Sequence, residues 1–129
     1  MAKIFLDTNI FIDAIHRKPE HEVLDSLEEH TVLISPLSIH IYCYSFQIKI
    51  LGTQLPDQLN KFDLVDLDSS IIKKSATGPT NDMEDNIQLH SAAKADCDYF
   101  LTNDKKLLKT GYFGKTKICS SLPTMSLRA

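Results

Sequence analysis

Short, wholly apolar runs separated by helical patterns constrain this chain more than any other feature. Ile4-Phe5-Leu6, Val32-Leu33-Ile34 and Tyr99-Phe100-Leu101 each end on polar residues able to start a helix: Asp7-Thr8, Ser35-Pro36 and Thr102-Asn103-Asp104. A strand that is apolar on both faces has to be covered on both faces, which favours a parallel sheet between helical layers over an antiparallel sheet with one wet side. The pattern predicts strands over 3–6, 31–34, 62–67, 99–102 and 117–119. It predicts helices after Asp7, over 19–30 behind Pro19, over 37–50 behind Ser35-Pro36 and closed by Gly52, and from Pro56 to Lys61. Further helices are expected over 69–75, over 82–95, and from the Asn103-Asp104 cap through Leu108. The expected fold class is therefore α/β, a three-layer α/β/α arrangement around a central, mostly parallel sheet of about five strands.

Length and composition agree. A chain of 129 residues that is 43% apolar and 24% charged reads as one globular domain over 1–129. The N-terminus meets Lys3 and Asp7 too early for a secretory leader, and no apolar run approaches the roughly 18 residues of a membrane span. The expected location is cytoplasmic, with no membrane partner. Cys43, Cys97 and Cys119 have no C-x-x-C spacing and are odd in number, so they read as free or buried thiols rather than zinc ligands or disulfides. The helix over 37–50 is unusually apolar and aromatic, which suits either deep burial or a contact with a second subunit.

A formal net charge of −3 argues mildly against a polyanionic partner, but the distribution of charge matters more. Asp7 ends the first strand, Asp104 follows the fourth strand, and Asp82 and Asp85 stand three apart at the start of a helix, a spacing that turns both to one side. In a doubly wound sheet such strand ends and helix starts meet at the carboxyl edge, where ligands bind. Four carboxylates brought together there would need protons or cations, and hard oxygen donors suit Mg²⁺ or Mn²⁺. Capping alone also accounts for Asp82 and Asp104. It accounts less well for Asp7. Lys105, Lys106, Lys109, Lys115 and Lys117 form a local basic strip, which is either a solvated face or a phosphate contact.

Three segments together resemble a known family. Ile4-Phe5-Leu6-Asp7-Thr8-Asn9-Ile10-Phe11-Ile12-Asp13 is similar to the opening of PIN domains. Asp82-Met83-Glu84-Asp85-Asn86-Ile87-Gln88 resembles their D-x-E-D-x-x-Q segment, and Asp98-Tyr99-Phe100-Leu101-Thr102-Asn103-Asp104 resembles their D-Y-x-x-T-x-D strand and loop. Order and spacing agree over nearly the whole chain. The resemblance implies a Mg²⁺- or Mn²⁺-dependent endoribonuclease, often the VapC toxin of a toxin–antitoxin pair, commonly dimeric. It implies that Asp7, Asp85 and Asp104 are catalytic metal ligands, with Asp82 a ligand or a supporting acid. Asn9 and Thr102 would orient those acids, Thr102 by bonding a carboxylate or the attacking water. Glu84 lies on another helix face, from which it reaches inward or pairs elsewhere. Lys105, Lys106 and Lys109 would meet the RNA backbone.

One departure stands out. The family pattern S-P-x-x-x-x-E leads here from Ser35-Pro36 to Ile41, which cannot ligate metal, and the adjacent His40 is turned by about 100° on the helix. The departure motivates a rival reading, a weakened or non-catalytic PIN module that binds RNA or a protein. A third reading, a phosphatase-like enzyme with Asp7 as nucleophile, lacks a second acid two residues on, where Asn9 stands.

Overall fold

The computed structural model describes residues 1–17 and 27–122. Most of the helix expected over 19–30 lies outside the described residues.

The apolar runs form the sheet. Strands β1 (Lys3–Leu6), β2 (Thr31–Ile34), β3 (Asp63–Leu64), β4 (Tyr99–Leu101), β5 (Tyr112–Phe113) and β6 (Thr116–Cys119) lie in the order β3-β2-β1-β4-β6-β5. All pairs are parallel except β5 with β6. The register puts Ile4 opposite both Val32 and Tyr99, and Phe5 opposite both Leu33 and Phe100. Side chains alternate along a strand, so β1 feeds two cores. Ile4 and Leu6 join Phe11, Ile34, Tyr42 and Phe62 on one face. Phe5 joins Leu33, Ile71, Ile87, Leu89 and Phe100 on the other. Both faces are dry, as the uninterrupted apolar runs require.

The first layer holds α1 (Thr8–Ile12), α2 (Pro36–Ser45) and α3 (Leu55–Leu59); the second holds α4 (Ser69–Ser75), α5 (Met83–Lys94) and α6 (Lys105–Thr110). Five of the six helices begin as the local sequence dictates. Asp7, Ser35, Asp68, Asp82 and Asp104 are N-caps whose side-chain oxygens accept backbone N–H bonds from the first turn, with Pro36 following its cap. α1 continues as a π-helical turn over Asp13–Arg17.

Three boundaries differ from expectation. α2 stops at Ser45 instead of running to Ile50, because Gln47 takes a positive φ of 51° that no helix continues through. His40 and Tyr44 of that helix are exposed and stack on one another, while Ser38 and Tyr42 face inward, so α2 is half-buried rather than engulfed. The third strand shrinks from 62–67 to Asp63–Leu64, where it pairs only with the end of β2. The C-terminal strand gains an antiparallel partner, β5, through a two-residue turn with Gly114 at φ +62°. The three cysteines are free. Among the described residues, no helix is long and apolar enough to cross a membrane.

Candidate active site

The chain runs outward from β1 to β2 and β3, then crosses to the far side of β1 to form β4. The strand order therefore reverses between β1 and β4, and the crevice beyond their carboxyl ends is where such sheets bind ligands. Asp7 follows β1 and Thr102–Asp104 follows β4. The two ends are tied by the Asp7 N–H, which donates to the Leu101 carbonyl at 3.1 Å. The N-terminus of α5 arrives at the same edge, because a crossover helix runs antiparallel to its strands.

A cleft of about 330 Å³ opens there, lined by Asp7, Asn9, Asp13, Glu84, Asp85 and Asp104 among others. The three aspartates marked by the motifs thus face one space. A larger cleft of about 820 Å³ adjoins it, lined by Thr80, Asn81, Asp82, Lys105 and Lys106 among others, and Asp85 and Asp104 line both.

Asp7 is nearly inaccessible, at 8% exposure. One carboxylate oxygen accepts from the Ile10 N–H at 2.9 Å and the other from the Thr102 hydroxyl. Burial pushes its carboxyl above the usual carboxylate range; the bonds from Thr102 and Ile10 pull it back, and the charges of Asp104 and Glu84 push it up again. Asp85 is raised to about 6, first by burial and then by the charges of Asp82, Asp104, Glu84 and Asp7. Thr102, fully buried, also accepts from the Asp104 N–H at 3.0 Å, so one hydroxyl holds both the strand-end acid and the loop-end acid in place. Asp104 Oδ1 takes the two cap bonds, from Lys106 N–H at 2.8 Å and Leu107 N–H at 3.3 Å.

A second polar chain lies beneath the cleft. Gln88 Nε2 donates to Thr8 Oγ1 at 3.0 Å and to Glu84 at 3.2 Å, and Thr8 Oγ1 is 2.9 Å from Ser38 Oγ. These bonds join α5, α1 and α2 and turn Glu84 toward the cleft that holds Asp7. Asp82 does the reverse. As N-cap it sits outside the helical repeat, at φ −104° and ψ 115°, with its carboxylate curled onto the Asp85 N–H at 2.9 Å. It lines only the larger cleft. Asn9 is exposed at the rim of the smaller one. Lys105 and Lys106 line the larger cleft and Lys109 lines neither; nor do His40 or Ile41.

Sequence reasoning missed Asp13 and Arg17. Both line the acidic cleft, joined by an ion pair of 3.1 Å, and Arg17 also lies over the Phe46 ring at 5.9 Å. Asp13 closes the very segment that carries Asp7, so its sixth-residue spacing was a usable signal. Arg17 had none, because its placement depends on a π-helical turn. The donor set fits a hard divalent cation in type and charge: the carboxylates of Asp7, Asp13, Glu84, Asp85 and Asp104, mutually repelling, with the side-chain oxygens of Asn9 and Asn103 on the same cleft. Among the described residues, no three His, Cys, Asp or Glu side chains form a ready metal cage. The acids line the cleft without closing around a point.

The acids thus line a crevice at the switch point of a mostly parallel α/β sheet. The family model for the PIN domain matches residues 4–111, and the chain belongs to that family. Among solved structures, it is similar to VapBC2 from Rickettsia felis bound to a DNA fragment from their promoter, at 17% identity and a TM-score of 0.64, over 91% of this chain and 97% of that one. It is also similar to FitAB bound to an IR36 DNA fragment, at 17% identity and a TM-score of 0.52, over 90% of this chain and 93% of the other. No curated protein sequence matches the chain.

Proposed function

We propose that the protein is a divalent-metal-dependent endoribonuclease, with Asp7, Asp85 and Asp104 holding Mg²⁺ or Mn²⁺. The observation that carries this reading is that these three acids, with Glu84, line one cleft at the switch point of the sheet. Asp82, on the neighbouring cleft, supports Asp85 through its cap bond. A bound cation supplies Lewis acidity toward a phosphoryl oxygen and makes water a better nucleophile. The chain's own residues do the rest. Thr102 fixes Asp7 and Asp104 relative to each other, and Gln88 aims Glu84 toward the same cleft. Lys105 and Lys106 line the adjoining cleft and would meet the phosphate backbone there.

The motifs resemble those of VapC toxins, and the similar solved structures are named VapBC2 and FitAB, both bound to DNA. That supports a toxin role with an antitoxin partner. A second copy of the chain would find an exposed aromatic side chain on α2 in Tyr44, which is 80% exposed. Purified protein with Mn²⁺ should cut RNA, and Asp7→Asn should abolish the cutting; activity that survives this change would belong to another site or another protein.

One observation favours a second reading, a PIN module that binds RNA or a protein without cutting. Ile41 stands where the family pattern carries an acid, and it lines neither cleft. Ser38, one turn earlier on the same helix face, touches Thr8 beside Asp7. An acid at 41 would therefore point toward the cleft. Calorimetry that detects no Mn²⁺ uptake by the wild type, and uptake by Ile41→Glu, would establish the second reading over the first.

A further inference from the structure

We propose that Glu84 supplies a metal-ligating carboxylate to the acidic cleft and that the buried Gln88 is the positioning residue that presents it. The proposal deepens the nuclease reading above and rests on it for the presence of a cation. Glu84 and Gln88 both line the smaller cleft with Asp7, Asp85 and Asp104, whereas His40 and Ile41 of α2 line neither cleft. Of the two further acids on the smaller cleft, Asp13 is paired with Arg17, while Glu84 makes no ion pair among the described residues. The charge of Glu84 raises the carboxyls of both Asp7 and Asp85, so all three stand within electrostatic reach of one another. The acid that joins the three aspartates therefore comes from α5 and not from α2.

Glu84 and Gln88 are four apart on α5, so they share a face, and helical side chains lean toward the N-terminus, the end of α5 that reaches the cleft. Gln88 is only 1% exposed. Its Nε2 donates to Thr8 Oγ1 at 3.0 Å and to Glu84 Oε2 at 3.2 Å. Thr8 Oγ1 in turn lies 2.9 Å from Ser38 Oγ, and both hydroxyls belong to buried residues. The amide cannot swing away without breaking a bond to another helix. Nor can it turn over, since that sets its carbonyl against the Glu84 carboxylate, acceptor to acceptor. An ordinary i,i+4 pair decorates a solvated helix face; this one is anchored in the core.

The remaining polar atom of that amide is the sharper signal. Gln88 Oε1 is buried and has no hydrogen-bond partner among the described residues. A buried carbonyl without a donor is destabilising and uncommon, and ionised carboxylates on the same cleft have no proton to offer it. A divalent cation held by carboxylates keeps bound water, whose O–H groups are the donors this oxygen lacks. One buried amide thus serves the site at both ends: its nitrogen orients the ligand and its oxygen accepts from the cation's water.

The test reads Mn²⁺ binding to the full chain by calorimetry, with melting in chelator alongside to register structural damage. Glu84→Gln, Glu84→Asp and Gln88→Leu should each weaken Mn²⁺ binding by about 10–100-fold. Glu84→Asp keeps the charge and shortens the reach, so its loss separates coordination from general attraction. Gln88→Leu should lose markedly less in a Glu84→Gln background, because a positioning residue acts through the group it holds. If Gln88→Leu melts early in chelator, Glu84→Asp, which leaves the buried amide in place, decides. Unchanged affinity in either Glu84 variant, or a Gln88→Leu loss equally large with Glu84 already replaced, would overturn the proposal. No Mn²⁺ uptake by the wild type would overturn it together with the nuclease reading. RNA left uncut by a wild type that binds Mn²⁺ and shows these losses would sink the nuclease reading alone.

Discussion

Thr102 donates its hydroxyl proton to Asp7 across 95 residues of sequence, and its oxygen accepts the Asp104 N–H. One buried hydroxyl therefore sets the spacing of two acids that arrive on different strands. Thr102→Val keeps the shape and removes both bonds, leaving a buried carboxylate short of a donor. The expected loss is about 1–3 kcal/mol of folding stability. The loss should be larger at pH 8 than at pH 4, because the bond favours ionised Asp7. Urea unfolding at the two pH values checks this, and Thr102→Ser should recover most of the loss.

Asp85 sets a pH dependence whose sign is fixed. Its folded carboxyl titrates at about 6 against 3.8 for the ordinary group, so the fold is favoured by protonation. Its contribution is fully present below about 4 and is lost as pH rises through about 6. In chelator, Asp85→Asn should be more stable than wild type at pH 7.5, by an amount on the order of 1 kcal/mol once partial solvent exposure is allowed for, and indistinguishable from it near pH 4. Mn²⁺ affinity of the wild type, read by calorimetry, should fall as pH drops through the same window, since protons and cation compete for one carboxylate.

Asn86 fixes the loop that walls the larger cleft. Asn86→Ala strips the Thr80 N–H and carbonyl and the Ser75 carbonyl of their partner. A loss of about 2–4 kcal/mol is expected from several bonds broken in a buried network. Amide exchange at Thr80 in the loop should quicken well beyond that at Leu89 in the middle of α5. Equal change at the two would mean global rather than local loosening.

Phe5 and Phe100 stack across β1 and β4 with ring centroids 5.6 Å apart and planes within 10°. Both are wholly buried directly behind the strand ends that carry the acids. Phe100→Ala should cost about 3–5 kcal/mol, while Phe100→Leu, closer in volume, should cost much less. Denaturant midpoints distinguish the two.

The amino-acid sequence by itself determined the central strands, the helix starts at Asp7, Ser35, Asp82 and Asp104, and the presence of acids at two strand ends and one helix start. Those are local facts. A three-residue apolar run reads as a buried strand whatever it pairs with, and a cap is satisfied within its own first turn, as Asp7 and Asp104 are. Tertiary structure decided the rest. β3 exists only as far as β2 reaches, and β5 exists because Gly114 turns the chain back on β6. Glu84 rather than Asp82 joins Asp7, because Gln88 is anchored on Thr8 from a helix 80 residues away and a cap residue does not follow the helical repeat. Arg17 reaches the acids through a π-helical turn that no periodicity announces. Side chains meet according to where strands pair and helices pack, and pairing partners are set by the whole chain, so the acids at strand ends and helix starts were legible locally, but which side chains share the cleft was not.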